Sequence, residues 1–600
     1  MIIGLIFIIA PFFIIFQHPD KKLAFVYVFS FWITLHLLIA VVTQALHLFT
    51  YPVVLGIHAV IFSIVLLKVD WGGGRISGLM RHGAKKIDWV LLIVVLIAFM
   101  HLYRVHYDYT GKYTVVTTPE YQEASHMRYP YPYFADEWYA IAFIKDSLNS
   151  HALPFRDPLD LHHTPFANFE FAFHSLLSEF ILLLGLNPLT DYTLLTIFSG
   201  LLICLLVYLF LTFDGVNRLP AAIAALAVLY ITNGANLPGI WTLIPLVAGI
   251  VCLLLSLFFF VAGHKAMVWF MAVLTLLFYP PLFPFYASAV VFWLGAEKKL
   301  PFQERSRDAM RYLIVMAVAG AALLTPVFAA KGAMAGTAWG LVLRKIFPPT
   351  FPPDSIAHLA IWHIVPVPII ILSIAGVLMI MRHRQWLAAM VLLGLAYWAV
   401  YSQTTYRFIL DYPRVVVATA ILLTLVSGYG LNWLVETLKR SRLFNTNKNL
   451  TYIQTGILII FLLASGHYTQ RENWRNLKLS HRGLNKTFEP AAPANRYLHP
   501  DDLRIFEHIK GKRVKSIPWK ATVVGVATDN YARPIKPGTL SSGGSGRVLG
   551  PVSAAMCAKE YKATATATED RYWYLPWVDC PHFEIVDRSA EGFYLLKFKK

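Results

Sequence analysis

Residues 133–146 read YFADEWYAIAFIKD: two adjacent acids, Asp136 and Glu137, followed by aromatic and aliphatic residues. After them Trp138, Ile141, Ile144 and Leu148 recur at helical spacing, with Lys145, Asp146 and Asn149 on other faces. The periodicity predicts a helix, and its flanks place that helix on the outer surface of a membrane. Upstream lies the apolar segment 88–104, and downstream an apolar run ends near Leu186. Stretches near the roughly 20 residues that cross a bilayer recur through the chain, which has 600 residues, 57% of them hydrophobic and 14% charged. The fold class expected is a mainly α polytopic bundle of about 12–14 crossings, with a small C-terminal α+β domain. The opening MIIGLIFIIAPFFIIF has no basic start and no small-residue cleavage site, so it reads as a retained first helix.

The formal charge of +18 does not point to nucleic acid, because basic residues of a membrane protein collect in its cytoplasmic loops. GRISGLMRHGAKK (74–86), EKKLPFQERSR (297–307), RHR (382–384) and KRSRLFNTNK (439–448) are such loops. They fix out-and-back pairs at 310–330 with 356–381 and at 386–402 with 413–435, then a last helix at 451–467 that leaves the tail outside. The segment after 88–104 is likewise external. Segments 192–212, 220–232, 240–262 and 267–297 carry too few charges to fix their direction, and Tyr279-Pro280-Pro281-Leu282-Phe283-Pro284 marks a break in the last.

Three parts follow: 1–87, an added set of helices with a basic cytoplasmic loop; 88–467, the main bundle with a large external loop at 105–170; and 468–600, an extracytoplasmic domain. In the last, TVVGVAT (522–528) is strand-like, and FEIVDRSAEGFYLLKF (583–598) reads as a hairpin. Cys204 and Cys252 lie in apolar helices, whereas Cys557 and Cys580 fall in the tail, where either a disulfide or two buried thiols fit. No Walker loop, GxGxxG or zinc ribbon has a credible setting.

Beyond the acidic helix, Pro154 and FRDP (155–158) lead through DLHHTPFANFEF (160–171) into the return helix, where Glu170, His174 and Ser178 form a stripe facing the interior or a wet cavity. Each residue also has a plain structural reading. Asp136 suits a helix N-cap and Glu137 a first turn, Glu170 and His174 suit a helix pair, and the adjacent His162 and His163 suit a solvated loop.

A basic cytoplasmic loop, an outward helix, an acidic pair in ADEW, a surface helix, FRDP and a return helix together resemble the GT-C glycosyltransferases. The likeness is to the branch of protein O-mannosyltransferases and lipid A aminoarabinose transferases, and covers the layout of 88–467. The resemblance implies transfer of a sugar from a polyprenyl-phosphate donor to a lipid, glycan or protein acceptor at the outer face of the cytoplasmic membrane. It implies Asp136 as general base, which the chemistry requires of a carboxylate within hydrogen-bond reach of the acceptor, and Glu137 as a positioning or secondary acid. In QTTYRFILDYPR (403–414) Arg407 stands in an RF segment that resembles the family's arginine-bearing one, although Asp411 and Tyr412 depart from its pattern, and Arg414 closes the same stretch. Both arginines are candidate phosphate binders, since the guanidinium fork fits phosphate; interfacial anchoring is their structural alternative. Arg344 and Lys345, in the Gly- and Pro-rich external loop 331–355, join them, with Glu170, His174 and His163 as further site candidates. Family members with diphosphate donors include metal users, and Asp136, Glu137, His162, His163 and Glu170 offer ligands. Metal-independent transfer without a cofactor is the expectation. A transporter or lipid flippase is the alternative from another class, though it is expected to show an internal repeat, and none is visible.

Overall fold

The computed structural model describes residues 4, 11–12, 20–68, 88–114, 121–132, 134–159, 166, 168–231, 239–296, 302–331, 361–404, 412–440, 456, 460, 463, 498–507, 509, 511–516, 520–528, 531–534, 571–575, 581–590 and 592–598. Its helices are α1 (Lys21–Ala45), α2 (Tyr51–Lys68), α3 (Trp89–Tyr107), α4 (Ala135–Ser150), α5 (Phe171–Leu184), α6 (Tyr192–Phe213), α7 (Arg218–Ala227), α8 (Pro245–Ala262), α9 (Lys265–Phe278), α10 (Phe283–Ala296), α11 (Phe302–Lys331), α12 (Val367–His383), α13 (Gln385–Gln403), α14 (Tyr412–Arg440), α15 (Pro500–Glu507) and α16 (Lys520–Thr528). Among the described residues, α1, α3, α6, α8, α13 and α14 are long and apolar enough to cross a membrane, with shorter apolar helices between them. The chain is a multi-pass membrane protein.

Local chemistry sets the helix ends. Asp20 caps α1 by accepting from the backbone N–H groups of Lys22 and Leu23, both at 3.1 Å. Pro245 opens α8, and Gly263 closes it with φ 72°, a conformation that glycine adopts without a Cβ clash. Helix α8 is buried along nearly its whole length, so it is the centre of the bundle. Helices α12 and α14 approach closely through glycine: a Cβ on Gly430 would stand 1.9 Å from the Leu372 carbonyl oxygen, and one on Gly376 2.1 Å from that of Val426.

Polar contacts at two levels settle the direction of the charge-poor segments. Asp214, at the end of α6, accepts from Arg384 of the RHR loop (Nη2–Oδ1 2.6 Å) and from the Tyr429 hydroxyl. Tyr208 donates to Asp88 at 2.9 Å, and Lys265 at the start of α9 pairs with Asp308 at 2.7 Å, next to the basic 297–307 loop. These ends therefore share the side of the basic loops. At the opposite level Tyr107 meets Thr193 at 3.0 Å, and Arg414 meets Asp136. So α6 and α8 run toward the basic side and α7 runs back. The stretch 267–297 is a helical hairpin, α9 and α10, reversing at the 3-10 turn Pro280–Leu282, where the proline cluster predicted a break.

The region between α3 and α4 forms a hairpin, β1 (Tyr109–Thr114) with β2 (Tyr121–Met127), bulged near Tyr109 and Gly111. The tail strands β3 (Arg513–Ser516), β4 (Tyr531–Pro534), β5 (Arg571–Leu575), β6 (Phe583–Arg588) and β7 (Tyr594–Phe598) form one sheet of order β4-β3-β5-β7-β6. The 583–598 hairpin is present as β6 and β7. The strand reading of 522–528 is corrected: this run lies in α16, because β3 and β4 pair in parallel and a parallel pair needs a crossover, here a helix. Its apolar residues are buried, which a short run shows equally in strand or helix. A separate apolar cluster built on Phe506, Val524, Trp573, Tyr574 and Leu596 holds the sheet.

Candidate active site

Helix α4 begins at Ala135, with Phe134 at the N-cap, so Asp136 is a first-turn residue and not the cap. Freed from capping, its carboxylate turns outward and accepts from Arg414 Nη2 at 3.0 Å, both side chains being about a third exposed (34% and 27%). Glu137 points the other way and is buried. Its Oε2 accepts from the Phe134 backbone N–H (3.1 Å), and its Oε1 from the Leu243 N–H (2.8 Å) and the Thr196 hydroxyl (3.3 Å). Burial pushes its pKa up to about 8, against the pull of those donors. Glu137 thus ties the start of α4 to the loop before α8, and Asp136 is the acid left facing open space.

That space is a cavity of about 230 Å³. Asp136, Glu170, His174 and Arg414 line it with Tyr139, Phe143, Phe166, Phe169, Asn168 and Tyr279, over a floor made by Ile244, Pro245 and Leu246. Polar and aromatic groups thus converge at the level opposite the basic loops. The buried Asn168 organises the far wall: its Nδ2 donates to the Pro154 carbonyl and to His174 Nδ1, both at 3.0 Å, and its Oδ1 accepts from the Glu170 N–H at 3.0 Å. An acceptor Nδ1 leaves the His174 proton on Nε2. Asp157 of the FRDP turn accepts from the Leu159 N–H at 3.0 Å and so shapes the approach to this wall.

Of the residues singled out in the sequence, the structure brings Asp136, Glu170, His174 and Arg414 to one cavity and sets Glu137 behind it. Arg407, Arg344, Lys345, His162 and His163 lie outside the described residues, as do Cys557 and Cys580. Asn168 and Tyr279 were not foreseen; a single asparagine between Ala167 and Phe169, in FANFEF, carries no periodic signal.

The expectation that α4 lies on the membrane surface is corrected. Its apolar face packs into the bundle through Trp138, Ile141 and Ile144, but Ala140, Ala142, Phe143 and Ser147 are buried as well. Helix α16 of the tail covers its other side, with Lys145 Nζ donating to the Val526 carbonyl at 2.8 Å. The Tyr139 phenol is raised above its ordinary pKa by burial, while a hydrogen bond to Thr522 of α16 pulls the other way. The helix is sandwiched because both of its faces have protein partners.

No protein-family description matches the sequence, and no curated protein matches it. Solved structures do show similarity. The apo oligosaccharyltransferase of Archaeoglobus fulgidus is 13% identical with a TM-score of 0.45, over 81% of this chain and 69% of that one. The same organism's oligosaccharyltransferase AglB, in complex with an inhibitory peptide and a dolichol-phosphate, is 13% identical with a TM-score of 0.40, over 74% and 64% of the two chains. ArnT from Cupriavidus metallidurans bound to undecaprenyl phosphate is 12% identical with a TM-score of 0.48, over 85% of this chain and 97% of that one.

Proposed function

We propose that the protein is a membrane glycosyltransferase that moves a sugar from a polyprenyl-phosphate donor to a lipid, glycan or protein acceptor at the outer face of the cytoplasmic membrane. The observation that carries this reading is the cavity in which Asp136, freed from helix capping, meets Arg414 at the level opposite the basic loops. The positive-inside rule supports reading that level as the outer one.

In the proposed reaction Asp136 takes the proton of the acceptor hydroxyl or amine as its oxygen or nitrogen bonds to the anomeric carbon. The bond from that carbon to the donor phosphate oxygen breaks, and the lipid phosphate leaves with the electron pair. Arg414 stabilises the charge that develops on this phosphate. Arg407, Arg344 and Lys345 are proposed to add to the phosphate site from the loops that carry them. Glu170 and His174 line the opposite wall, where sugar hydroxyls have polar partners. Glu137 positions Asp136 through the helix start and does not itself touch the reactants. The proposed transfer needs no divalent ion in this cavity. Brief exposure to a chelator should leave it unchanged, and a loss restored by adding back one divalent ion would overturn that point.

The test is transfer of labelled sugar from a panel of polyprenyl-phosphate sugars by the purified protein in nanodiscs, wild type against Asp136→Asn. Label reaching an acceptor with the first and not the second, both equally folded, supports the assignment. Equal transfer by both removes Asp136 as the base, and no transfer from any donor refutes the activity.

A further inference from the structure

Away from the cavity, three ionisable side chains meet inside the bundle: His36 of α1, His58 of α2 and Glu179 of α5. All three are buried, with relative side-chain exposure of 1%, 4% and 0%. Glu179 bridges the other two, with Oε2 2.7 Å from His36 Nδ1 and Oε1 2.6 Å from His58 Nε2, and the imidazole rings lie 4.5 Å apart. The three ligand atoms all fall within 4.8 Å of one another, the one such group among the described residues. Around them the seam is dry and aromatic: Trp32 stands edge-on to the His36 ring, and Phe180 packs against it.

Two neutral imidazoles and a carboxylate carry one net negative charge, which is costly in an apolar bundle unless a cation joins it. Two nitrogens and one oxygen are a ligand set that zinc accepts with its fourth position open. Ligands on a tetrahedral zinc sit roughly 3.4 Å apart, so the two contacts must open by roughly 0.7 Å to admit the ion, a movement within side-chain reach. One turn along α5 from Glu179, Ser175 donates to Gln44 Oε1 at 2.6 Å. The buried Gln44 Nε2 has no partner among the described residues. It is a donor available to a water or hydroxide on the open position.

We propose that His36, His58 and Glu179 bind a zinc ion that ties the N-terminal helix pair to α5, the helix that begins at the cavity wall. The site is independent of the proposed transferase activity, and its test reads metal alone. The full-length chain is purified without a histidine tag from zinc-supplemented cells, reconstituted in nanodiscs and washed with a weak chelator. Elemental analysis and X-ray absorption at the zinc edge then report the ion and its ligands. The wild type should hold about one zinc per chain with two imidazoles and an oxygen ligand, whereas Glu179→Gln and His58→Ala should fall to background. Zinc added to stripped wild type should raise its melting temperature, and should not raise that of Glu179→Gln. Wild type without bound zinc, zinc retained equally by Glu179→Gln, or a spectrum without imidazole scattering would each overturn the proposal and leave a cluster that shares a proton. The wild-type spectrum decides the matter even if the variants fail to fold.

Discussion

Glu137→Gln tests the account of the acidic pair most sharply, because it separates burial from hydrogen bonding. In the folded chain burial holds the Glu137 pKa at about 8, against an ordinary 4.5. Between those values the folded state binds the proton that the unfolded state has released, so the contribution of this group to stability falls as pH rises through the window and is gone above it. The gap corresponds to roughly 5 kcal/mol at most. Glutamine does not titrate, but it sets an N–H against one of the backbone N–H donors of Phe134 and Leu243, a fixed cost of about 1–3 kcal/mol. At pH 5 the variant should therefore melt below the wild type, and by pH 9 the difference should vanish or invert. For a chain this long the change is roughly 1 °C per kcal/mol, measurable by differential scanning fluorimetry in nanodiscs. Melting differences that stay constant across that range, or grow with pH, would show that Glu137 is ionised in the folded state and that its N–H partners outweigh burial.

Other expectations concern separate parts of the molecule. Arg414→Lys keeps the charge but loses the planar fork, so the sugar-transfer assay should show kcat/KM down about 10–100-fold at an unchanged melting temperature; full activity would remove Arg414 from the phosphate site. Asp214→Asn breaks the contact to Arg384 and Tyr429, and with Arg384 a third exposed the loss should be about 2–3 kcal/mol, read as a lower melting temperature. Gly430→Ala places a Cβ 1.9 Å from a backbone oxygen and should force α12 and α14 apart at a cost of about 1–3 kcal/mol or more, seen as loss of folded yield. In the tail, Lys520 is buried against Asp502, which also accepts from Tyr574. Asp502→Asn should destabilise the tail by about 3–5 kcal/mol by hydrogen exchange, and adding Lys520→Met should recover much of that.

What was legible in the sequence was local. The 583–598 hairpin joins neighbours along the chain, so alternation and a short turn suffice to find it, whereas α16 is a helix because the strands on either side of it pair in parallel, which no local pattern reveals. The acidic pair was visible as acids at a helix start. Which acid faces the cavity depends on Leu243 and Arg414, more than 100 and 270 positions away. The direction of α6 likewise depends on Arg384, 170 positions from Asp214. Glu179 was hidden within FHSLLSEFILLL, although a signal existed: His36, His58 and Glu179 are each ionisable groups in an apolar helix, and such groups require partners.

The sandwiching of α4 bears on how the protein responds to its lipids. A helix resting at the headgroup boundary rises and falls with bilayer thickness and composition, and any acid it carries moves with it. Here α4 is seated on the bundle through Trp138 and Ile141 and clasped from above by Lys145 and Val526. The height of Asp136 is thereby referenced to the protein, so acyl-chain length should alter how a donor reaches the cavity without altering the cavity itself.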